Sequence, residues 1–360
     1  MFNEKHINKI NILFFPILFL VSIVGPIFLY VYSTITWPTW LLAAILFVLS
    51  GFSITAGYHR LFTHNTYTAA WPCRLFFVLI GSATFEGSVL EWAADHRNHH
   101  CYTDTRKDPY NIKQGFWHAH MGWLFTLDAS KRDFSNVADL KKSRILRLQH
   151  RYYILCSVIM GFVFPVAIAS LWGAPIAGLL IAGVLRITLF HQTTFCINSL
   201  CHVLGTRRYF SQTSARDNWL SALLTCGEGY HNYHHTFPYD YRNGVQLYQY
   251  DPGKWLIFGL SRIGLASNLR RTPNHCIIQA RMETYKQLTE KKQKDPLIEK
   301  LYESIFQKIA DIKKIEKIYR QCNLKEYAIK LKVAEKRIIF LFHQWKSKVH
   351  KAAYKPAIDC

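Results

Sequence analysis

Long apolar runs, rather than an alternating or helical-period rhythm, dominate the first two thirds of the chain. Ile12 to Tyr32 and Trp40 to Tyr58 each hold about twenty residues without a charged side chain, enough at ~1.5 Å per residue to cross a hydrocarbon layer of ~30 Å. Ser33-Thr34-Ile35-Thr36-Trp37-Pro38 joins them, with Trp37 and Trp40 where aromatic rings anchor at a bilayer interface. A second pair, Tyr152 to Trp172 and Ile176 to Ile197, is joined by Gly173-Ala174-Pro175. Both connections are short and uncharged. Basic residues collect at the opposite ends: Lys5 and Lys9, the loop carrying Lys131, Arg132, Lys141, Lys142, Arg144, Arg147 and Arg151, and the chain beyond Arg207. Because Lys and Arg mark the cytoplasmic side, the pattern predicts an all-α integral membrane bundle of four transmembrane helices, with both termini and the central loop in the cytoplasm.

Pro72 to Leu90 is apolar enough to imitate a fifth span, but a crossing there would put the histidines before it (His59, His64) and after it (His96, His99, His100) on opposite faces. Glu86 and Glu91 near its end also suit an interfacial or re-entrant helix over residues 72–90 better than a spanning one. Arg186, inside the fourth run, has two readings: a functional charge, or a packing residue held by buried carbonyls. From Arg281 the chain turns Lys/Glu-rich with Leu301, Ile305, Ile309, Ile312 and Ile315 at helical spacing, an amphipathic tail. The expected organisation is therefore a membrane domain over residues 1–280 and a basic helical tail over 281–360.

Composition agrees with membrane residence: half of the residues are hydrophobic and 15% aromatic. The formal charge of +21 flanks and follows apolar runs, which fits anionic lipid head groups and argues against nucleic acid. Nine cysteines form no CxxC pair, so neither a disulfide framework nor a zinc knuckle is expected. The first apolar run is too long for a signal-peptide core and lacks a small-residue cleavage site, and so reads as a retained span.

Histidine supplies the chemistry. His231, His234 and His235 fall on one helical face, and three further groups join them: His59 and His64 at the end of the second run, His96, His99 and His100, and His202 at the end of the fourth. All lie at the same mouth of the bundle if the chain crosses four times. Nine imidazoles exceed one metal ion and suit two, with Asn198, one turn before His202, able to hold a metal-bound water. His59 and His64 are five apart, roughly 140° on a straight α-helix, so they either serve different metals or mark where the helix unwinds. Zinc accepts imidazole but offers no redox chemistry, and no HExxH motif points to hydrolysis. Iron would serve dioxygen activation.

The motifs HRLFTH (59–64), HRNHH (96–100), NSLCH (198–202) and GEGYHNYHH (227–235) resemble the histidine boxes of membrane fatty-acid desaturases, in particular the acyl-CoA delta-9 (stearoyl-CoA) type. The likeness extends through Ile54 to Arg60, Glu91 to Arg97, Gly115-Phe116-Trp117, Gly122-Trp123 and Phe237 to Tyr241, and covers roughly residues 10–280. It implies two iron ions (Fe2+), held by His59, His64, His96, His99, His100, His202, His231, His234 and His235 with Asn198 acting through water. It also implies insertion of a cis double bond into a saturated acyl chain with dioxygen and two electrons. The sequence departs from that family at Glu86-Gly87-Ser88, Ala94 and Leu127-Asp128, where residues that help hold a CoA head group are expected. CoA, a carrier protein or a phospholipid therefore remain as acyl carriers. A His-Pro-Gly-Gly haem motif is absent, so the electrons are expected from a separate donor protein, and the expected location is a bacterial inner membrane.

Around this centre, Phe47 and Gly51, on the second run before His59, are candidate gauges of chain length, and ordinary helix packing is the alternative. Trp92, Trp117 and Trp123 are candidate walls of the substrate entrance or interfacial anchors. Asp95 is a further candidate for the substrate path, and with Asp104, Asp108 and Glu228 it is a candidate to orient imidazoles through their second nitrogen. A hydroxylase on the same scaffold and a non-catalytic membrane metal-binding or transport protein are the competing functions.

Overall fold

The computed structural model describes residues 7–32, 36–126, 128–289, 295–322 and 324–353. Lys5, the Ser33-Thr34-Ile35 part of the first connection, and Leu127 lie outside the described residues. Among the described residues four helices are long and apolar enough to cross a membrane: Lys9–Tyr32, Trp37–Thr63, Tyr153–Ser170 and Pro175–Val203. The second and fourth run past the expected ends at Tyr58 and Ile197. Their last turns carry polar residues that a hydropathy pattern reads as loop, yet His59, Arg60, His64 and His202 are buried. The helix continues because those side chains face protein, not water.

The 72–90 segment is not one helix, which corrects the expectation. Trp71–Ser82 is helical, about 18 Å long and therefore too short to cross. The chain then reverses through Phe85 and Gly87, both at positive φ. A new helix, Val89–Tyr102, starts on a capping box: Ser88 Oγ accepts from the Glu91 backbone N–H while the Glu91 carboxylate accepts from that of Ser88. Glu91 thus opens the second histidine helix instead of closing an interfacial one. The short helix packs against the second span through small residues: a Cβ on Gly57 would stand 2.5 Å from Phe77 Cβ, and one on Gly81 2.3 Å from Tyr58.

Ending one helix and starting another in the interior of the protein leaves carbonyls that need donors. The fourth span supplies them. Arg186 donates to Ala83 O at 3.1 Å, to Ser50 Oγ at 3.0 Å and to Ala182 O at 2.8 Å, and His191 Nε2 meets Thr84 O at 2.5 Å. Of the two readings of Arg186 the structure selects the packing one: it ties the second and fourth spans to the re-entrant turn. The only strand pair among the described residues is Thr68–Ala69 with Ala266–Ser267.

Two compact units divide the chain. The first runs to Thr206 and resumes at Thr213–Arg271; the second takes Arg207–Gln212 and the chain from Thr272 onward. In the second unit, helices Asn274–Thr289, Pro296–Cys322 and Lys325–Ala353 share a core of Ile278, Met282, Ile305, Ile309, Ile312 and Phe342 among others. The unit begins before residue 281 because Ile278 already contributes to that core.

Candidate dinuclear metal centre

The nine histidines form two adjoining groups, His59, His64, His96, His100 and His234, and His99, His202, His231 and His235, with the candidate ligand atoms of each group within 4.8 Å of one another. Local backbone geometry makes this possible. Residues Ser53–Thr63 are π-helical, and the His64 N–H donates to His59 O at 3.1 Å, an i to i+5 bond. The wider turn brings residue i+5 back over residue i, so His59 and His64 join the same group, with ring centroids 4.8 Å apart. Of the two expectations for this pair, different metals or a place where the helix unwinds, the second holds, in the form of a loosened π-helical turn that ends at Thr63. His96, His99 and His100 share one helix, and His231, His234 and His235 sit on the short helix His231–Thr236. The groups touch through His100 and His235, stacked with centroids 4.2 Å apart.

Nitrogen contacts test whether the residues suit a cation. His234 Nε2 lies 2.9 Å from both His59 Nε2 and His100 Nε2, and His100 Nε2 lies 3.1 Å from His96 Nε2. His235 Nε2 lies 3.0 Å from His231 Nε2 and 3.2 Å from His99 Nε2, while His64 Nε2 is buried without a hydrogen-bond partner among the described residues. A neutral imidazole has one N–H, and so many converging nitrogens cannot all be satisfied by one another. A metal ion in each group would satisfy them. Burial is the main cause, and neighbouring imidazoles the next, that hold His64, His96, His100, His231, His234 and His235 well below the usual histidine range. They are therefore neutral donors at physiological pH.

The outer nitrogens meet oxygen. His99 Nδ1 lies 2.8 Å from Asp108 Oδ1, which also accepts from the Tyr110 backbone N–H. His59 Nδ1 lies 2.8 Å from Glu228 Oε2. His202 Nδ1 reaches Ser214 Oγ at 2.6 Å, and that hydroxyl in turn bonds Asp104. Such partners fix tautomer and ring orientation. Burial alone would raise the Glu228 carboxyl, but His59 and Arg60 outweigh it and hold it down to about 2. The sequence reading passed over Arg60, which is fully buried and bridges Glu228 and Asp251 at 3.0 and 2.9 Å. An arginine between two histidines was the available signal. Arg97 was passed over as well; it caps the second span through Thr63 O at 2.9 Å and pairs with Asp139.

A cavity of about 330 Å³ reaches this centre and is lined by His59, His96, His231, Asn198, Trp92 and Asp95 among others. It shares Ile54, Thr55, Thr194, Ile197 and Glu228 with a second cavity of about 140 Å³, whose wall includes Phe47 and Gly51. Trp92 stacks on His96 with centroids 4.7 Å apart and donates to Glu86 Oε2 at 3.3 Å. Asp95 lines the cavity but pairs bidentately with Arg132, at 2.9 and 3.0 Å, and touches no imidazole nitrogen, which corrects its expected orienting role. Trp117 is 61% exposed and lines neither cavity, which corrects its placement on the substrate path. Trp123 does line the first cavity.

Residues 35–260 match the fatty acid desaturase family. The chain is 44% identical over 270 residues to the probable acyl-CoA desaturase of Schizosaccharomyces pombe, covering 73% of this chain and 55% of that protein. It is 42% identical over 257 residues to acyl-CoA desaturase 1 of Saccharomyces cerevisiae, covering 71% and 50%. With human stearoyl-CoA desaturase 5 it shares 37% over 252 residues, covering 67% and 76%. The chain thus spans about half the length of the fungal relatives. These relatives are fungal and human, so the likeness gives no support to the expectation of a bacterial inner membrane.

Proposed function

The chain belongs to the fatty acid desaturase family, and from that premise we propose that it is a multi-pass membrane desaturase that removes two hydrogens from a saturated acyl chain to leave a cis double bond, at the delta-9 position. The observation that carries the reading is the gathering of nine imidazoles, as five and four, against a largely apolar cavity. In the balanced reaction one dioxygen, two electrons and two protons leave with the two substrate hydrogens as two waters.

Two iron ions fit the donor set. His59, His64, His96, His100 and His234 would hold one, and His99, His202, His231 and His235 the other, with Asn198 acting through water. Bound iron supplies the oxidising power that dioxygen chemistry on an unactivated methylene pair requires. The remaining work belongs to the protein. Glu228, Asp108 and Ser214 hold the outer imidazole nitrogens so that the inner lone pairs converge. Phe14, Phe85 and Phe195 make much of the cavity wall apolar, which excludes water and fixes an alkyl chain without hydrogen bonds to it.

The relatives' names favour an acyl-CoA substrate. The Glu86-Gly87-Ser88 and Ala94 departures keep a phospholipid or a carrier protein in the test. The basic residues in the loops on the histidine side support a cytoplasmic histidine end. Expression in a desaturase-deficient host, followed by mass spectrometry of free, CoA-linked and phospholipid pools, tests the proposal. A product two hydrogens lighter, with its double bond located, supports it. A product carrying one more oxygen would instead mark a hydroxylase.

A further inference from the structure

The terminal helix Lys325–Ala353 carries two apolar stripes on opposite sides. Ile338, Phe342 and Trp345 are buried in the core of the tail unit. At ~100° per residue, Ile329, Val333 and Phe340 fall within roughly 40° of one another and about 180° from Ile338. Their exposures are 57%, 62% and 61%, and none belongs to that core. A single exposed leucine is ordinary, but three exposed apolar residues on one face of a helix that has already built its core on the other ask for an occupant.

The flanks of the stripe identify the chemistry of that occupant. Arg337 and Lys348 border it on one side, where Glu326 also lies but is paired with Lys330, and Lys325, Lys332 and Lys336 border it on the other, all exposed. The helix holds eight basic residues against two acidic ones, Glu326 and Glu335. We propose that this face lies on an anionic lipid surface, with Ile329, Val333 and Phe340 in the boundary between head groups and acyl chains and the flanking cations reaching outward to phosphate. Long Lys and Arg stems cover apolar surface while their heads stay in a polar layer, and a narrow stripe between two cationic borders is the pattern of an interfacial helix. An acidic protein groove would need apolar depth across the helix; here the stripe is one side chain wide. The four spans tether the unit to a bilayer, so even weak lipid affinity is realised at high effective concentration. The stripe lies beyond the family match at 35–260, and the inference does not depend on desaturation.

Hydrogen–deuterium exchange of the full chain in nanodiscs tests it. Discs of zwitterionic lipid alone are compared with discs in which about a third of the lipid is phosphatidylglycerol. Amides spanning 329–340 should exchange about tenfold more slowly in the anionic discs, and high salt should reverse much of that slowing. The variant Ile329→Ser, Val333→Ser, Phe340→Ser should lose the lipid dependence while helix Pro296–Cys322 keeps its protection, which shows that the unit still folds. The charge variant Lys332→Glu, Lys336→Glu, Arg337→Glu should lose it as well. Equal exchange in both discs, or slowing that both variants retain, overturns the proposal in favour of a protein contact.

Discussion

Glu228 shows how much a single side chain carries here. Its carboxylate meets the outer nitrogen of His59, two nitrogens of Arg60, Thr55 and Asn243, so Glu228→Gln replaces a charge acceptor by an amide that cannot serve every donor. We expect roughly 10–100-fold weaker metal retention with membrane insertion unchanged; iron content per purified chain is the measurement, and full occupancy would remove Glu228 from the orienting role. Glu86 makes a pH prediction. Burial raises its carboxyl to about 7, against hydrogen bonds from Thr194 and Trp92. Glu91, Asp95, Arg132, Tyr110 and Tyr153 line the same cavity, but Arg132 is already taken by Glu91 and Asp95. Below pH 7 Glu86 is neutral and tolerates an alkyl chain. Above it the charge has no counterion among those residues, so substrate affinity should fall, approaching about tenfold per pH unit, and Glu86→Gln should flatten the profile. An identical profile in the variant would assign the pH dependence elsewhere. The histidines were legible because their types and short spacings survive in one dimension. Asp95 misled because proximity in sequence to a box does not fix direction, Trp117 because an aromatic ring in a recognisable motif need not face the cavity, and Arg60 with Asp251 stayed hidden because the partners are 191 residues apart.

Elements were legible where hydropathy alone decides them and blurred where the helix stays helical for another reason. All four spans could be located from apolar runs, yet the ends of the second and fourth were cut short because buried polar residues look like loop in a pattern. The Ser88-x-x-Glu91 capping box was readable and would have split the 72–90 segment at the right place. The π-helical turn at Ser53–Thr63 had no such signal; only the awkward five-residue histidine spacing pointed to it. Contact between the short helix and the second span is the element-scale feature most open to test. Gly81→Ala puts a Cβ 2.3 Å from the Tyr58 ring, whereas a Cβ at Gly259 meets nothing within 4 Å. We expect the first substitution to cost about 1–3 kcal/mol, seen as a lower midpoint in a detergent melting curve, and Gly259→Ala to be neutral or slightly stabilising. Equal midpoints would mean that the helix can shift without penalty and that the close packing does not hold the histidine boxes in register.

At the scale of the whole molecule, parity did the most. Four crossings with a non-crossing helix between them is the arrangement that lets histidines from residues 59–64, 96–100, 202 and 231–235 meet, and their meeting in two groups is what sequence spacing could anticipate but not place in space. The cavity could not be anticipated in the same way, since its walls come from segments far apart in the chain. Its far end makes the last prediction. Phe47 and Gly51 line the second cavity of about 140 Å³, and a Cβ on Gly51 would already lie 3.1 Å from Cys226 Sγ. A phenyl ring there has no room towards Cys226 and must fill space that the end of an acyl chain would use. Each methylene denied burial costs about 0.8 kcal/mol, or roughly fourfold in affinity. Excluding three or four methylenes should therefore lower the ratio of long to short mono-unsaturated products by about 60- to 250-fold in Gly51→Phe, read by gas chromatography of fatty-acid methyl esters from an expressing host. An unchanged chain-length distribution at normal total activity would mean that the chain does not end at Gly51 and that the second cavity belongs to helix packing alone.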